Sequence, residues 1–248
     1  MKFLGLVAVC VTALLALASN AMARPDFRCN GVFKGKTYDG VVVPRGASCT
    51  LVDAKVNGNV RVLRNAYFQS TGSIVHGDIE GKASQTIFID TGSRISGSVE
   101  SVDARQFFVF NSTVGEDIEP ERTRETVQVC GNNVRKGNIE VLWSGPNGGA
   151  LSEHPGTDIL IGDPLTVGCR GNAVRRGDIR VFGNFANIEF VIRGNTVKRG
   201  SLEVARNTGP APKIVAGNVG GDRLACRDNS AFAKEANKRW DRRSGQCS

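Results

Sequence analysis

Gly131-Asn132-Asn133-Val134-Arg135-Lys136-Gly137-Asn138-Ile139-Glu140 returns as Gly171-Asn172-Ala173-Val174-Arg175-Arg176-Gly177-Asp178-Ile179-Arg180, and again as Gly194-Asn195-Thr196-Val197-Lys198-Arg199-Gly200-Ser201-Leu202-Glu203. Gly217-Asn218-Val219-Gly220-Gly221 is a shortened fourth copy. Outward from these copies the second glycine of the unit continues at Gly58, Gly77, Gly97, Gly115, Gly156 and Gly221, so that a glycine returns about every twenty residues. A small polar residue and a branched apolar one follow most of them. Ile79, Val99, Ile118, Ile139, Ile159, Ile179 and Leu202 hold the apolar place, and Glu80, Glu100, Glu119, Glu140, Arg180 and Glu203 come directly after. Apolar then charged, at a period of two, is the signature of a strand with one face buried.

A twenty-residue unit holds three short strands and three corners. It is too short for a helix–turn–helix unit, and the leucine ladder of a leucine-rich repeat is absent. The expected fold is therefore all-β, a right-handed parallel β-helix of about eight or nine coils, since parallel crossovers are right-handed. Neighbouring coils stack about 4.8 Å apart. Asn and Gly suit the corners, where φ turns positive and β-branched residues are refused.

The organisation along the chain reads as four parts. Residues 1–23 read as a signal peptide: Lys2, the apolar run Leu4 to Leu17, and a small-x-small site at Ala21-Met22-Ala23. Residues 24–56 read as an N-terminal cap, 57–224 as repeats, and 225–248 as a disulfide-tied C-terminal cap. Phe232, Ala236 and Trp240 fall four apart, which predicts a short amphipathic capping helix. The expected protein is exported, periplasmic or extracellular, with no transmembrane segment once the leader is removed.

Six of the seven cysteines lie beyond the leader: Cys29, Cys49, Cys130, Cys169, Cys226 and Cys247. An even number in an exported chain points to disulfides. Spacing favours Cys29–Cys49 and Cys226–Cys247, leaving Cys130–Cys169. The Gly- and Pro-rich stretch 143–165 is either one more coil or an insertion. A coil would hold Cys130 and Cys169 two strand spacings apart, too far to bond; the insertion is the favoured reading.

With its Gly-Asn-x-Val-x-x-Gly-Asn/Asp-aliphatic repeats, the start Thr37-Tyr38-Asp39-Gly40-Val41-Val42-Val43-Pro44-Arg45-Gly46-Ala47-Ser48-Cys49 and the end Leu224-Ala225-Cys226-Arg227-Asp228-Asn229 to Gly245-Gln246-Cys247, the chain resembles a group of exported bacterial parallel β-helix proteins of the pectin-lyase-like fold group. The resemblance covers nearly the whole mature chain. It implies the fold and two disulfide-tied ends, and brings no activity with it. Neither a pectin-degrading enzyme's catalytic motif nor the cytosolic, cysteine-poor pattern of the bactofilins maps onto these residues.

Three constellations bear on function. Arg135-Lys136, Arg175-Arg176 and Lys198-Arg199 hold one place in three successive copies, so stacking makes them a basic ridge on a chain of net charge +8. Such a ridge suits an anionic polysaccharide or another polyanion of the cell envelope; the plainer reading is a set of solvated corner residues. An exported chain poor in aromatic residues is not expected to bind nucleic acid. Glu80, Glu100, Glu119 and Glu140 form an acidic stripe, read either as a solvated face or as carboxylates for glycan cleavage or calcium. Asp78, Asp117 and Asp178 read as turn formers. No residue is assigned a catalytic role: there is no GxSxG, His76 is isolated, and Ser152-Glu153-His154 are mere sequence neighbours. No CxxC occurs, and no metal or cofactor site is expected. The leading expectation is a non-catalytic binder of anionic glycan. A polysaccharide lyase or glycoside hydrolase and a self-assembling structural protein are the alternatives.

Overall fold

The computed structural model describes residues 26–145, 158–163 and 169–248. Over them the chain winds as a parallel β-solenoid of about ten turns. The first turn lays Phe27–Arg28 on a first sheet, Gly31–Lys34 on a second and Thr37–Tyr38 on a third. Each later turn adds one strand to each sheet in the same order, giving sheets of eleven, ten and nine strands. Every pairing is parallel, and neighbours in a sheet are one turn apart.

The interior consists of three apolar ladders, two aliphatic and one in which aliphatic residues are joined by Phe68, Phe107 and Phe190. Val60, Ile79, Val99, Ile118, Ile139, Ile179 and Leu202 stack along the first sheet. Phe68, Ile87, Phe107, Val127, Ile159 and Phe190 stack along the second. Val75, Ile95, Val114, Val134, Val174 and Val197 line the third. All are buried, and each contributes about 1.5–3 kcal/mol by leaving water.

Polar stacks seal the corners. Asn132, Asn172, Asn195, Asn218 and Asn237 are buried where the second sheet turns into the third. The Oδ1 of Asn172 accepts the Asn132 backbone N–H at 3.1 Å and its side-chain amide at 3.0 Å, while Asn172 Nδ2 donates to the Val129 carbonyl at 2.7 Å. Asn195 and Asn218 repeat the arrangement. A second stack of Ser144, Asn184, Asn207, Asn229 and Gln246 closes the corner between first and second sheets. A third explains the small polar residue after each repeat glycine: the Oδ1 of Asp78, Asp117 and Asp178 accepts the backbone N–H of Ser98, Asn138 and Ser201 on the next turn, at 3.0, 2.7 and 2.8 Å. The turn-forming role expected of these aspartates is thus a hydrogen bond between turns.

The bridges Cys29–Cys49, Cys130–Cys169 and Cys226–Cys247 form with Cα atoms 5.5, 5.7 and 5.2 Å apart. Asn133 pairs with Ala173, so Cys130 and Cys169 stand on neighbouring turns. The expected insertion 143–165 needs correction in part. Asp158–Gly162 is a strand of the second sheet between Thr126–Cys130 and Glu189–Arg193, which places Ile159 in the second sheet instead of the first. Residues 146–157 and 164–165, with Gly156, lie outside the described residues.

Two further expectations change. The described part of 24–56 is not separate from the repeats: Cys49 pairs with Phe68 in the second sheet and Val56 with Val75 in the third. Counting this part and the tail raises the turns from the expected eight or nine. The expected C-terminal helix is absent. Phe232–Lys234 extends the second sheet beside Lys213, and Arg242–Gly245 extends the first beside Arg223. Asn237 caps the asparagine stack, its Oδ1 accepting from the Asn218 N–H at 3.0 Å. A lone helix of that length is marginal, and it would leave the last turn's backbone groups unpaired; the open sheet edge wins because it pairs them.

Candidate functional site

The basic ridge is built by the corner between third and first sheets. Asn133–Val134, Ala173–Val174 and Thr196–Val197 pair in register, and the chain stays locked one residue further. Arg175 N–H donates to the Val134 carbonyl at 3.0 Å and Lys198 N–H to the Val174 carbonyl at 2.9 Å. Arg135, Arg175 and Lys198 therefore stack, as do Lys136, Arg176 and Arg199. All six are exposed, and among the described residues no ion pair involves any of them. The glycines that close the corner have no substitute: at Gly200, φ is +137° and a Cβ would stand 2.2 Å from the Gly177 carbonyl oxygen.

Stacked cations about 4.8 Å apart repel by about 1 kcal/mol per pair even in water. The row sits between Gly115-Glu116 on the turn before and Gly221-Asp222 on the turn after. An anion laid along it replaces repulsion with attraction, and the guanidinium groups can grip carboxylate or sulfate through two N–H groups.

The acidic stripe lies on the outer face of the first sheet. Glu80, Glu100 and Glu119 are in register. Burial, then the like charges of Asp78, Glu80 and Asp117, hold Glu100 above the usual carboxylate range, against a Ser98 hydrogen bond that lowers it. Burial, then Glu140 and Glu100, push Glu119 up. The stripe is not uniform. Glu140 pairs with Arg180 at 3.2 Å, and Arg180 reaches Asp178 at 2.9 Å. Among the described residues no group of three or more His, Cys, Asp or Glu side chains is arranged to hold a metal ion. A shallow pocket of about 390 Å³ opens beside the stripe, with Arg61, Glu80, Lys82, Glu100, Asp103 and Arg122 on its wall. Opposite charges face each other there: Arg122 donates to Asp103 at 2.8 Å and pairs with Glu121, and Asp103 is held below the usual carboxylate range by Arg122.

His76 is exposed at its corner, and its backbone N–H donates to the Val56 carbonyl. Ser152, Glu153 and His154 lie outside the described residues. Two buried ionisable groups escaped the sequence reading: Glu125, which pairs with Arg105, and Lys213. Lys213 takes the inward place that Phe190 holds one turn earlier. Its Nζ donates to the carbonyls of Gly209 and Ala211 and to Ser230 Oγ. Burial draws its pKa down. The only signal for it was a lysine in an otherwise aliphatic strand.

The three bridges fit an oxidising, extracellular-type environment. Among the described residues no helix is long and apolar enough to cross a membrane. Comparison with family models, with curated proteins and with solved structures brings no match.

Proposed function

We propose that the protein is exported and binds an anionic polysaccharide outside the cell or at its surface, without chemical conversion of the polymer. The observation that carries this reading is the ridge of Arg135, Lys136, Arg175, Arg176, Lys198 and Arg199, exposed, stacked in register and, among the described residues, without an ion-pair partner. Some outward arginines elsewhere on the solenoid lie against carboxylates, as Arg122, Arg180 and Arg227 do. A row without such partners is a standing field for a repeating anion. The test is binding of heparin and polygalacturonate by calorimetry at rising salt. Affinity should fall steeply with ionic strength. The triple variant Arg135→Gln, Arg175→Gln, Lys198→Gln should bind at least about tenfold more weakly, as expected for the loss of several charge-assisted contacts. Unchanged affinity in that variant refutes the reading.

A second reading, a polysaccharide lyase or glycoside hydrolase, draws support from the raised pKa of Glu100 beside the pocket of Arg61, Lys82 and Arg122. A carboxyl whose pKa is raised by burial donates a proton more readily near neutral pH than an ordinary one, as a general acid must. Incubation with uronate polymers, with and without calcium, would reveal new reducing or unsaturated ends. Their absence, or their persistence in Glu100→Gln, removes this reading.

A further inference from the structure

The corner between first and second sheets needs a left-handed backbone on every turn. Asn65, Ala83, Asp103, Arg122, Trp143, Gly183, Arg206 and Asp228 fill it in succession, with φ between +51° and +70°. Asn, Asp and Gly take this conformation at little cost. Trp143, at φ +52°, does not, and a bulky side chain there is a true outlier. Its ring is also 50 % exposed. A half-exposed indole on a strained corner is the reverse of what stability alone selects.

The surroundings hold that ring in place. It lies over Gly183, where a Cβ would stand 2.4 Å from the indole Cε3, so any other residue on the next turn would displace it. Its edge meets Phe182 with centroids 5.1 Å apart and planes at 84°. Beyond Phe182 the exposed Arg206 guanidinium stacks on the same ring, 5.3 Å from its centroid. Among the described residues no ion pair involves Arg206. Trp143, Phe182 and Arg206 belong to the three turns that carry the basic ridge, at the opposite edge of the first sheet.

We propose that Trp143 and Arg206 form a sugar-binding subsite for two adjacent hexuronate units, the pyranose ring of one stacked on the indole and the carboxylate of the next gripped by the guanidinium. An aromatic face receives the C–H side of a sugar ring, and a fixed guanidinium supplies two parallel donors to a carboxylate. Two strand spacings, about 10 Å, separate the two residues along the solenoid axis, so a unit on Trp143 and its neighbour in the chain span them. The subsite rests on the glycan-binding reading above and gives it a sugar class.

The experiment titrates the full chain with polygalacturonate and with neutral dextran, following acrylamide quenching of tryptophan emission. The other tryptophan, Trp240, is buried, so protection reports on Trp143. Polygalacturonate should protect Trp143 and dextran much less. Trp143→Gly should bind polygalacturonate about tenfold more weakly, yet unfold at a urea concentration no lower than the parent, because glycine relieves the left-handed strain. Arg206→Gln should bind polygalacturonate several-fold more weakly while its binding of dextran stays unchanged; unchanged binding of polygalacturonate in this variant overturns the carboxylate contact. Undiminished affinity in Trp143→Gly, or polygalacturonate bound with Trp143 still fully quenched, overturns the subsite. If affinity then vanishes only in the Arg135, Arg175, Lys198 triple variant, the ridge reading survives alone. If polygalacturonate binds none of the proteins, both fall.

Discussion

The turns before Cys130 and those after it share one cross-section but are sealed differently. In the earlier turns the corner between second and third sheets carries Ser73, Ser93 and Ser112, and the corner between first and second carries Ser84, Ala104 and Thr123. A hydroxyl barely spans the gap between turns: Ser70 and Ser93 meet at 3.2 Å, while Ser84 Oγ, Ser101 Oγ and Thr123 Oγ1 are buried without a partner. In the later turns asparagine takes these places, and each amide binds the turn before and the turn after. The later turns also carry a longer corner. Three residues separate Val134 from Asn138, where two separate Val75 from Asp78. The extra place holds the basic ridge. The half that stacks the six cations is the half whose asparagine amides bind the turns on either side, whereas the earlier half stacks carboxylates over a sparser hydroxyl seal.

The junction of the halves should break hardest. Replacing Cys130 and Cys169 together by Ser frees a loop of 39 residues, and loop-closure entropy puts the loss near 4 kcal/mol. Urea unfolding with and without reductant measures it; a parent that loses nothing under reduction would show that the insertion is held by packing alone. The spine comes next. Asn195→Ala strands the Asn172 N–H and side-chain amide and the Ile161 carbonyl, at a cost of about 3 kcal/mol. Ser93→Ala in the earlier half removes a hydroxyl that is shared between Ser70 and the Asp90 carbonyl and should cost about 1 kcal/mol. Equal costs at the two sites would erase the distinction between the halves.

The unevenness of the two halves also governs what could be read without coordinates. The later half was legible because Gly-Asn-x-Val recurs, and each letter has one job: Asn for the spine, Val for the third sheet, the cations for the corner. The second sheet was harder. In Asp158-Ile159-Leu160-Ile161-Gly162 the outward Leu160 is buried along with the inward pair, so alternation disappears and the strand reads as part of a loop. In the tail, Phe232 and Trp240 mimic a helical stripe but serve different faces, and Ala236 between them is exposed. The overlooked clue was Asn237, which continues the asparagine series from Asn218. Trp143 was masked by the insertion that follows it, although it stands one place after Leu142, as Gly183 follows Phe182.

The gentlest probe of the comparison is the acidic row of the earlier half. Glu100 and Glu119 have pKa values raised in the folded state, first by burial and then by neighbouring carboxylates. A carboxyl with a raised folded pKa binds protons more readily folded than unfolded, so stability rises as pH falls from neutral through the folded value, and the gain is complete below the ordinary glutamate range. Wherever its carboxylates are ionised the row is repulsive. Glu119→Gln should therefore stabilise the protein by a few tenths of a kcal/mol at pH 7, the scale of a like-charge pair across strands, and by nothing at pH 3, where the parent is itself protonated. Glu140→Gln should act the other way at pH 7, because Glu140 also pairs with Arg180, and that attraction outweighs its repulsion from Glu119. Urea midpoints at the two pH values separate these outcomes. If both variants shift stability in the same direction at pH 7, the boundary between a repulsive row and a paired one does not lie where Glu119 meets Glu140.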